Sequence, residues 1–266
     1  MQKKQLEWPH IDNRDYACVQ VKRDIVVPPN NPFFDVLPTD TVAYYEVHWL
    51  ATNGFHDGNR TMLFTFAGGV GEGTEYSGGV RQAIRRMLNA TVSRPSDVMF
   101  YEGRTPAYRS MLRTSKFCIA PYGHGWGIRV VQAIEHGCIP LVIQDSVYQA
   151  FEDFLPYEDF SVRMPLADVP NMIELLRQYD EAELVRLRQG MARYFRAFIW
   201  DRQYGGRAYE WTLSALQRRV DAAQARHFTG REAGAEAAVS RRALLRGSGG
   251  GGEDEGGSGG EWVDER

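Results

Sequence analysis

Hydrophobic residues alternate between strand-like and helix-like patterns from about residue 60 onward. Apolar runs typical of buried strands occur in TMLFTFAGG, DVMFYEG, KFCIAP and CIPLVI. The segments between them are SGGVRQAIRRMLNA, TPAYRSMLRTS and GIRVVQAIEHG, and the first places Val80, Ile84 and Leu88 at helical spacing. This alternation predicts an α/β fold with a doubly wound, Rossmann-like parallel sheet.

The pattern beyond residue 143 is mainly helical. EDFSVRM is typical of a short edge strand, and LADVPNMIELLRQY of a helix capped by Asp168. EAELVRLRQGMARYFRAFIW carries one apolar face, and RAYEWTLSALQRRV favours a further helix. We expect these helices to cover the sheet. Earlier in the chain, Thr105 is the predicted cap of the helix TPAYRSMLRTS, and Gly137 is predicted to end the helix before CIPLVI.

The two ends of the chain differ from this regular region. Residues 1–59 include KRDIVVPPNNPFFDVLP, whose prolines favour one short strand, DIVV, followed by a winding connection. From about residue 226 the chain is rich in Ala, Arg, Glu and Gly, and it ends in GSGGGGEDEGGSGGEWVDER. Because this segment has little to bury, we predict disorder over 226–266, beginning at most with a short frayed helix.

Two glycine-rich loops follow the first and third predicted strands, where an open parallel sheet binds its ligands. One contains Gly68 and Gly69, and the other contains Gly123 and Gly125. Glycine lets the backbone approach a ligand closely, and the free N–H groups at a helix start favour an anion. The two loops therefore predict a phosphate-binding site.

Arg129 is predicted to lie in the first turn of the helix after the second loop. Its guanidinium and the free backbone N–H groups there could converge on one oxyanion. The alternative is a surface arginine without a ligand. In the loop itself, His124 either lines the pocket or has no role, and Trp126 either stacks on a base or sugar ring or packs onto the core. His136 is interpreted as a favourable cation at a helix end.

Familiar catalytic and nucleotide motifs are incomplete. Gly68 to Gly73 has the glycine spacing of a Walker phosphate loop, but Thr74 stands where that motif needs lysine. GxGxxG patterns that start at Gly69, Gly71 or Gly123 all fail at their last glycine, which weakens a nicotinamide-dependent dehydrogenase hypothesis. The sequence also contains no GxSxG and no HExxH.

Composition and charge exclude several classes of partner. The 31 basic and 34 acidic residues give a net charge of -3, too balanced for a nucleic-acid groove or a membrane-binding face. No apolar run reaches the roughly 18 residues of a membrane span, and the N-terminus lacks the apolar core of a signal peptide. Cys118 and Cys138 are interpreted as small buried hydrophobes, with a lumenal disulfide as the alternative. No metal site has the required spacing.

The run SKFCIAPYGHGWGIRVVQAIEHGCIPLVI resembles the core of the exostosin-like glycosyltransferases, family GT47. That family commonly reads S-x-F-C-L-x-P-x-G, then an arginine, an acidic residue before Ala-Ile, and G-C-I-P-V. Upstream, KRDIVVPP is similar to the family's K-D-V-V-I-P-P segment, and TMLFTFAGG with GVRQAI is similar to its F-F-A-G and G-x-R elements. The resemblance covers residues 22–163 in the expected order.

The resemblance implies a GT-B architecture, in which the C-terminal Rossmann-like half holds a nucleotide-sugar and the N-terminal half an acceptor glycan. Arg129 would then contact the diphosphate, and Arg81 would be a second anion partner, with a solvated arginine on the helix face as the alternative for Arg81. Gln132 would contact the ribose in place of the family's usual carboxylate, and its amide would accept a weaker hydrogen bond. The remaining implied donor-binding residues are Gly68, Gly69, Gly123, His124 and Gly125.

The resemblance also implies a function: an inverting, metal-independent transfer from a nucleotide-sugar to a glycan or glycoprotein in the Golgi apparatus, with no cofactor and no nucleic-acid partner. The alternative is a non-catalytic nucleotide-sugar- or glycan-binding module that partners an active homologous transferase. We expect a remnant of the acceptor-side half and a linker at 1–59, a donor-binding domain with its covering helices at 60–225, and the tail at 226–266. The catalytic base is unassigned, with Glu46, His48 and Asp57 as nearby candidates.

Overall fold

The computed structural model describes residues 24–30, 45, 60–73, 77–91, 93–123, 127–145, 147–202 and 205–247, with side chains through residue 228. The chain divides into two compact units, Met1–Leu216 and Gln217–Arg266. The first unit contains the sheet. The second begins within the last helix.

Five parallel strands form the central sheet, in the order β2-β1-β3-β4-β5. The predicted α/β class with a Rossmann-like parallel sheet is therefore confirmed. The predicted edge strand is only two residues long, because a 3-10 turn precedes it and Pro165, which has no N–H to donate, follows it closely. The strands are β1 Met62–Gly68, β2 Val98–Glu102, β3 Ser115–Pro121, β4 Ile139–Ile143 and β5 Val162–Arg163.

Helices connect the strands and follow the sheet. The α-helices are α1 Val80–Ala90, α2 Tyr108–Thr114, α3 Ile128–Glu135, α4 Met172–Arg177, α5 Glu181–Tyr194 and α6 Ala208–Gly247. Short 3-10 helices occupy Tyr157–Asp159, Leu166–Asn171 and Phe195–Phe198.

Two helix starts differ from the sequence prediction. The hydroxyl of Thr105 accepts from the N–H of Ala107 at 3.2 Å, which closes a turn before α2 rather than capping it. Asp168 lies inside a 3-10 helix, and the α-helix begins only at Met172. Pro170 explains this delay, because it lacks an N–H and disfavours the α conformation in the residue before it.

The three inner strands are buried along almost their whole length, whereas the outer strand β2 ends in the exposed residues Tyr101 and Glu102. Parallel strands that are covered on both faces read as continuous apolar runs instead of alternating ones. This burial explains why the sequence of β1, β3 and β4 shows no polar face.

The described part of residues 1–59 belongs to the first unit and contributes no strand to the sheet. The predicted strand DIVV is not a strand in the structure: Val26 O accepts from Phe151 N at 2.8 Å, and Pro28 and Pro29 follow the segment. The hydroxyl of the buried Tyr45 donates to Ile134 O at 2.6 Å. The rest of the predicted acceptor-side remnant lies outside the described residues.

The last helix, α6, extends to Gly247, into the segment for which the sequence predicts disorder. The Ala, Arg and Glu residues of that segment have high helix propensity although they offer little to bury. The composition of this segment is evidence against a packed core, but it is compatible with a helix. Residues 248–266 lie outside the described residues.

Cys118 in β3 and Cys138 just before β4 form a disulfide, with a Cα–Cα distance of 5.8 Å. The interpretation of these residues as separate buried thiols is therefore wrong. They are 20 residues apart in sequence, and they meet because β3 and β4 are parallel neighbours in which Cys118 lies opposite Pro140. That pairing of strands is not visible in the spacing of two lone cysteines.

Candidate functional site

The strand order places a topological switch point, and with it the crevice expected of an open parallel sheet, at the carboxyl ends of β1 and β3. The chain leaves β1 to form β2 on one side and returns to form β3 on the other, so the loops that follow β1 and β3 diverge. Such a switch point is where open parallel sheets bind their ligands. Gly68 ends β1 and Pro121 ends β3, so both glycine-rich loops begin at this end of the sheet.

Two arginine side chains converge on the end of β1. A Cβ atom built on Gly68 would lie 2.8 Å from Arg129 Nη2 and 3.7 Å from Arg81 Nη1. The Cζ atoms of Arg81 and Arg129 lie 5.6 and 5.7 Å from the centroid of the Phe66 ring, close enough for cation–π attraction. Arg81 comes from the first turn of α1 and Arg129 from the first turn of α3, so the fold brings together two cations that are distant in sequence.

Arg81 is a buried residue and not a solvated one. Its side chain is 4% exposed, and its Nη1 donates to the carbonyl of Gly69 at 2.7 Å. Gly79, two residues before Arg81, is the N-cap of α1 at φ 81, a left-handed conformation that glycine adopts readily. Arg81 therefore attaches the start of α1 to the loop that follows β1.

Gln82, which the sequence analysis did not identify, holds the same loop. Its Nε2 donates to the carbonyls of Val70, Gly71 and Gly73 at 3.0, 3.3 and 2.7 Å. Its Oε1 accepts from the Ser77 hydroxyl at 2.8 Å. The C=O and N–H of a trans peptide point in opposite directions. The backbone N–H groups of Gly71 and Glu72, which follow the carbonyls of Val70 and Gly71, therefore point away from Gln82. An amide next to a glycine-rich loop is the sequence signal that was available for this role.

Arg129 is held by Tyr108, a second residue that the sequence analysis missed. Arg129 Nη1 donates to the Tyr108 hydroxyl, and Arg129 Cζ lies 5.0 Å from the centroid of the tyrosine ring. Burial raises the pKa of Tyr108, and the charge of Arg129 opposes that rise. Tyr108 begins α2, in a connection that carries no glycine motif, so no pattern in the sequence pointed to it.

Gln132 completes this network from the next turn of α3. Its Oε1 accepts from the Tyr108 hydroxyl at 3.1 Å. The direction follows from Arg129, which donates to the tyrosine oxygen and so leaves the hydroxyl hydrogen for the amide oxygen. The oxygen that the sequence analysis expected to serve a ribose hydroxyl is thus already engaged by a side chain.

Several predicted site residues cannot be placed with these. Gly123 lies half-buried just after β3, and Gly127 is the N-cap of α3 at φ 83. His124, Gly125 and Trp126 lie outside the described residues, and so do the candidate bases Glu46, His48 and Asp57.

His136 is not the helix-end cation that the sequence suggested. Its side chain is 3% exposed, and burial lowers its pKa to about 4. Its Nδ1 lies 2.8 Å from the carbonyl of Gln132, which can only accept, so Nδ1 carries the hydrogen of a neutral ring. His136 is therefore a neutral core residue.

Across the described part of the chain, no three His, Cys, Asp or Glu side chains are grouped so that they could hold a metal ion. Among the same residues, no helix has both the length and the apolar composition that crossing a bilayer requires.

The fold and its crevice define a Rossmann-like α/β domain of the GT-B type, with two arginines at the switch point of the sheet. The family model of the Exostosin GT47 domain matches residues 21–179, more than half of the 266 residues. The chain belongs to the exostosin GT47 family, which confirms the resemblance in the sequence.

Named plant relatives share this region. The chain is 32% identical over 151 residues to a probable glycosyltransferase of Arabidopsis thaliana, covering 56% of this chain and 30% of that protein. It is 31% identical over 131 residues to a probable β-1,4-xylosyltransferase of the same plant, covering 49% and 31%. It is 29% identical over 184 residues to a probable glucuronosyltransferase of Oryza sativa subsp. japonica, covering 67% and 39%. The chain thus spans roughly a third of the length of these relatives.

Proposed function

We propose that this chain binds a nucleotide-sugar in the β1–β3 crevice and takes part in transferring its sugar to a glycan or glycoprotein. The observation that carries the proposal is the convergence of Arg81 and Arg129 on Gly68 at the switch point of the sheet. Two guanidinium groups beside a glycine backbone suit a diphosphate, which needs close approach and neutralisation. Membership of the GT47 family supports the same chemistry.

In the proposed reaction, the acceptor hydroxyl oxygen attacks the anomeric carbon of the donor and inverts its configuration. The bond from that carbon to the diphosphate oxygen breaks, and the diphosphate leaves with the electron pair. Arg129 and Arg81 would stabilise the charge that develops on this leaving group, a task that a divalent metal performs in other transferases. The hydroxyl proton passes to a base outside the residues assigned here.

The relatives' names suggest which donors to test first. Because these relatives are named xylosyl- and glucuronosyltransferases, nucleotide-activated xylose and glucuronic acid are the first candidates. We propose a Golgi location on the basis of the family resemblance. The buried Cys118–Cys138 disulfide supports it, since such bonds persist in oxidising compartments.

The second candidate function is a non-catalytic donor- or glycan-binding module that supports an active homologous transferase. It is favoured by Gln132, an amide whose oxygen is engaged by Tyr108 at the position where the family usually has a carboxylate. Both candidates require a donor site. They differ in turnover.

A binding panel of nucleoside diphosphates and nucleotide-sugars, measured by calorimetry with the purified chain, tests the proposal. Arg129→Ala should weaken binding by about 2 to 3 kcal/mol, roughly thirty- to a hundred-fold, because a charge-assisted hydrogen bond to the diphosphate is lost. Arg86→Ala, at an exposed position of α1, is the matched control and should bind like the wild type.

Equal binding by Arg129→Ala and the wild type would contradict the proposed contact between Arg129 and the diphosphate. Absence of binding across the whole panel would contradict the proposed donor site itself. Donor hydrolysis or sugar transfer, assayed on the same samples, separates the two candidates, because the module predicts binding without turnover.

A further inference from the structure

We propose that Tyr108 is a positioning residue of the donor site, whose hydroxyl fixes the orientation in which Arg129 meets a diphosphate. This inference rests on the proposed donor-binding function and concerns a residue that does not itself touch the donor. It follows from three features of the structure: the contacts that hold Arg129, the direction of the hydrogen bonds through Tyr108, and the charge of the network.

The guanidinium of Arg129 is held between two rings. Its Cζ lies 5.0 Å from the centroid of Tyr108 and 5.7 Å from that of Phe66. Contact with the two rings limits where the guanidinium can lie, but it does not by itself fix the direction of each N–H group. The hydrogen bond from Nη1 to the Tyr108 hydroxyl removes this freedom and leaves Nη2 beside Gly68, at the mouth of the crevice.

The hydroxyl has its own direction fixed in turn. Because it accepts from Arg129, it donates to Gln132 Oε1 at 3.1 Å. Arg129 and Gln132 stand one turn apart on α3, while Tyr108 belongs to α2. The network therefore connects two helices, and it sets the arginine against α2 as well as against its own helix.

The network also leaves the charge of Arg129 available. A carboxylate partner would orient the guanidinium but cancel its charge, whereas the phenol and the amide are both neutral partners. Burial raises the pKa of Tyr108, which keeps the phenol protonated at physiological pH. Tyr108 and Gln132 thus orient a full positive charge for an anionic ligand.

The test is Tyr108→Phe, which keeps the stacked ring and removes only the hydroxyl. The probe is the nucleoside diphosphate that binds the wild type best, titrated by calorimetry against the full chain. We expect binding to weaken about tenfold, in line with one lost hydrogen bond to a charged group. In an Arg129→Ala background the same change should have no further effect, because Tyr108 acts through Arg129.

Tyr101→Phe is the matched control, since Tyr101 lies 48% exposed at the end of β2. Unchanged binding by Tyr108→Phe would overturn the inference, and so would an equal loss with and without Arg129. The proposed function would survive both results, because they require a wild type that binds. A wild type that binds no nucleoside diphosphate would remove the proposed function and this inference together.

Gln132→Glu supplies an independent measurement that does not depend on the folding of a Tyr108 variant. The probe is inorganic pyrophosphate, which has no ribose to contact position 132. A carboxylate there should weaken pyrophosphate binding several-fold, because it adds a negative charge to the network that holds Arg129. Equal or tighter binding would contradict the neutral network and with it the inference.

Discussion

Gly68 shows why one residue in the crevice has no side chain. Its backbone conformation is open to other residues, so space and not φ is the constraint. A Cβ atom there would lie 2.8 Å from Arg129 Nη2 and 3.2 Å from Phe66 Cζ. The atom that requires glycine is therefore the tip of an arginine, and the small residue lets that arginine reach the end of β1.

Gly68→Ala should weaken nucleoside diphosphate binding about tenfold while costing less than about 1 kcal/mol of unfolding free energy. The new methyl group displaces the end of a flexible side chain, which is cheap for the fold and harmful to the site. Calorimetric titration and urea unfolding measure the two effects. Arg86→Ala, at an exposed position of α1, is the control and should show neither effect.

The sequence indicated the two arginines of the candidate site, but it did not indicate the residues that hold them. Arg129 follows a glycine-rich loop at the start of a helix, a pattern that the sequence displays directly, whereas Arg81 was implied by the family resemblance. Tyr108 and Gln82 act through hydrogen bonds to other segments. Periodicity identifies the helix on which such a residue lies, but it does not identify the atoms that the side chain meets.

At the scale of elements, the buried Arg60 joins three segments at the amino ends of the inner strands, the end of the sheet opposite the crevice. Its Nη1 donates to the carbonyls of Leu112 in α2 and Ser115 in β3, both at 2.8 Å. Its Nη2 donates to the carbonyl of His136, just after α3, at 2.6 Å. One cation thus satisfies carbonyls at the ends of two helices and at the start of a strand.

Arg60→Met should lower the unfolding free energy by about 3 kcal/mol or more, because three carbonyls lose a charged donor at once. Urea unfolding monitored by circular dichroism measures the loss. The exposed variant Arg86→Met should stay within about 0.5 kcal/mol of the wild type. An equal effect of the two substitutions would show that the three bonds contribute nothing specific.

The elements themselves were largely predictable, but their order in the sheet was not. Each apolar run from TMLFTFAGG to CIPLVI contains a strand of the sheet. The crevice exists because β1 lies between β2 and β3. This order depends on how the chain reverses direction after β2, and no single segment of the sequence encodes it. The Cys118–Cys138 disulfide was only the less favoured alternative in the sequence for the same reason, since it depends on β3 and β4 being neighbours.

At the scale of the whole molecule, His136 makes the free energy of unfolding depend on pH. Its pKa is lowered from 6.5 to about 4, first by burial and then by the nearby charges of Arg113, Arg109 and Arg60, while the bond to Gln132 partly opposes this. In the unfolded chain the ring binds a proton near its ordinary pKa. Between these two values the unfolded state holds more protons than the folded state, so folding stability rises with pH.

This contribution is fully present above about pH 6.5 and is lost as the pH falls toward 4, by up to about 3 kcal/mol. Urea unfolding at pH 7 and at pH 4.5 should show the loss in the wild type. His136→Gln, which cannot titrate, should lower stability at pH 7 and flatten the dependence. His227→Gln, at an exposed position of α6, should keep the slope of the wild type. If His136→Gln kept that slope as well, the pH dependence would belong to other groups, and the neutral buried ring would not be its source.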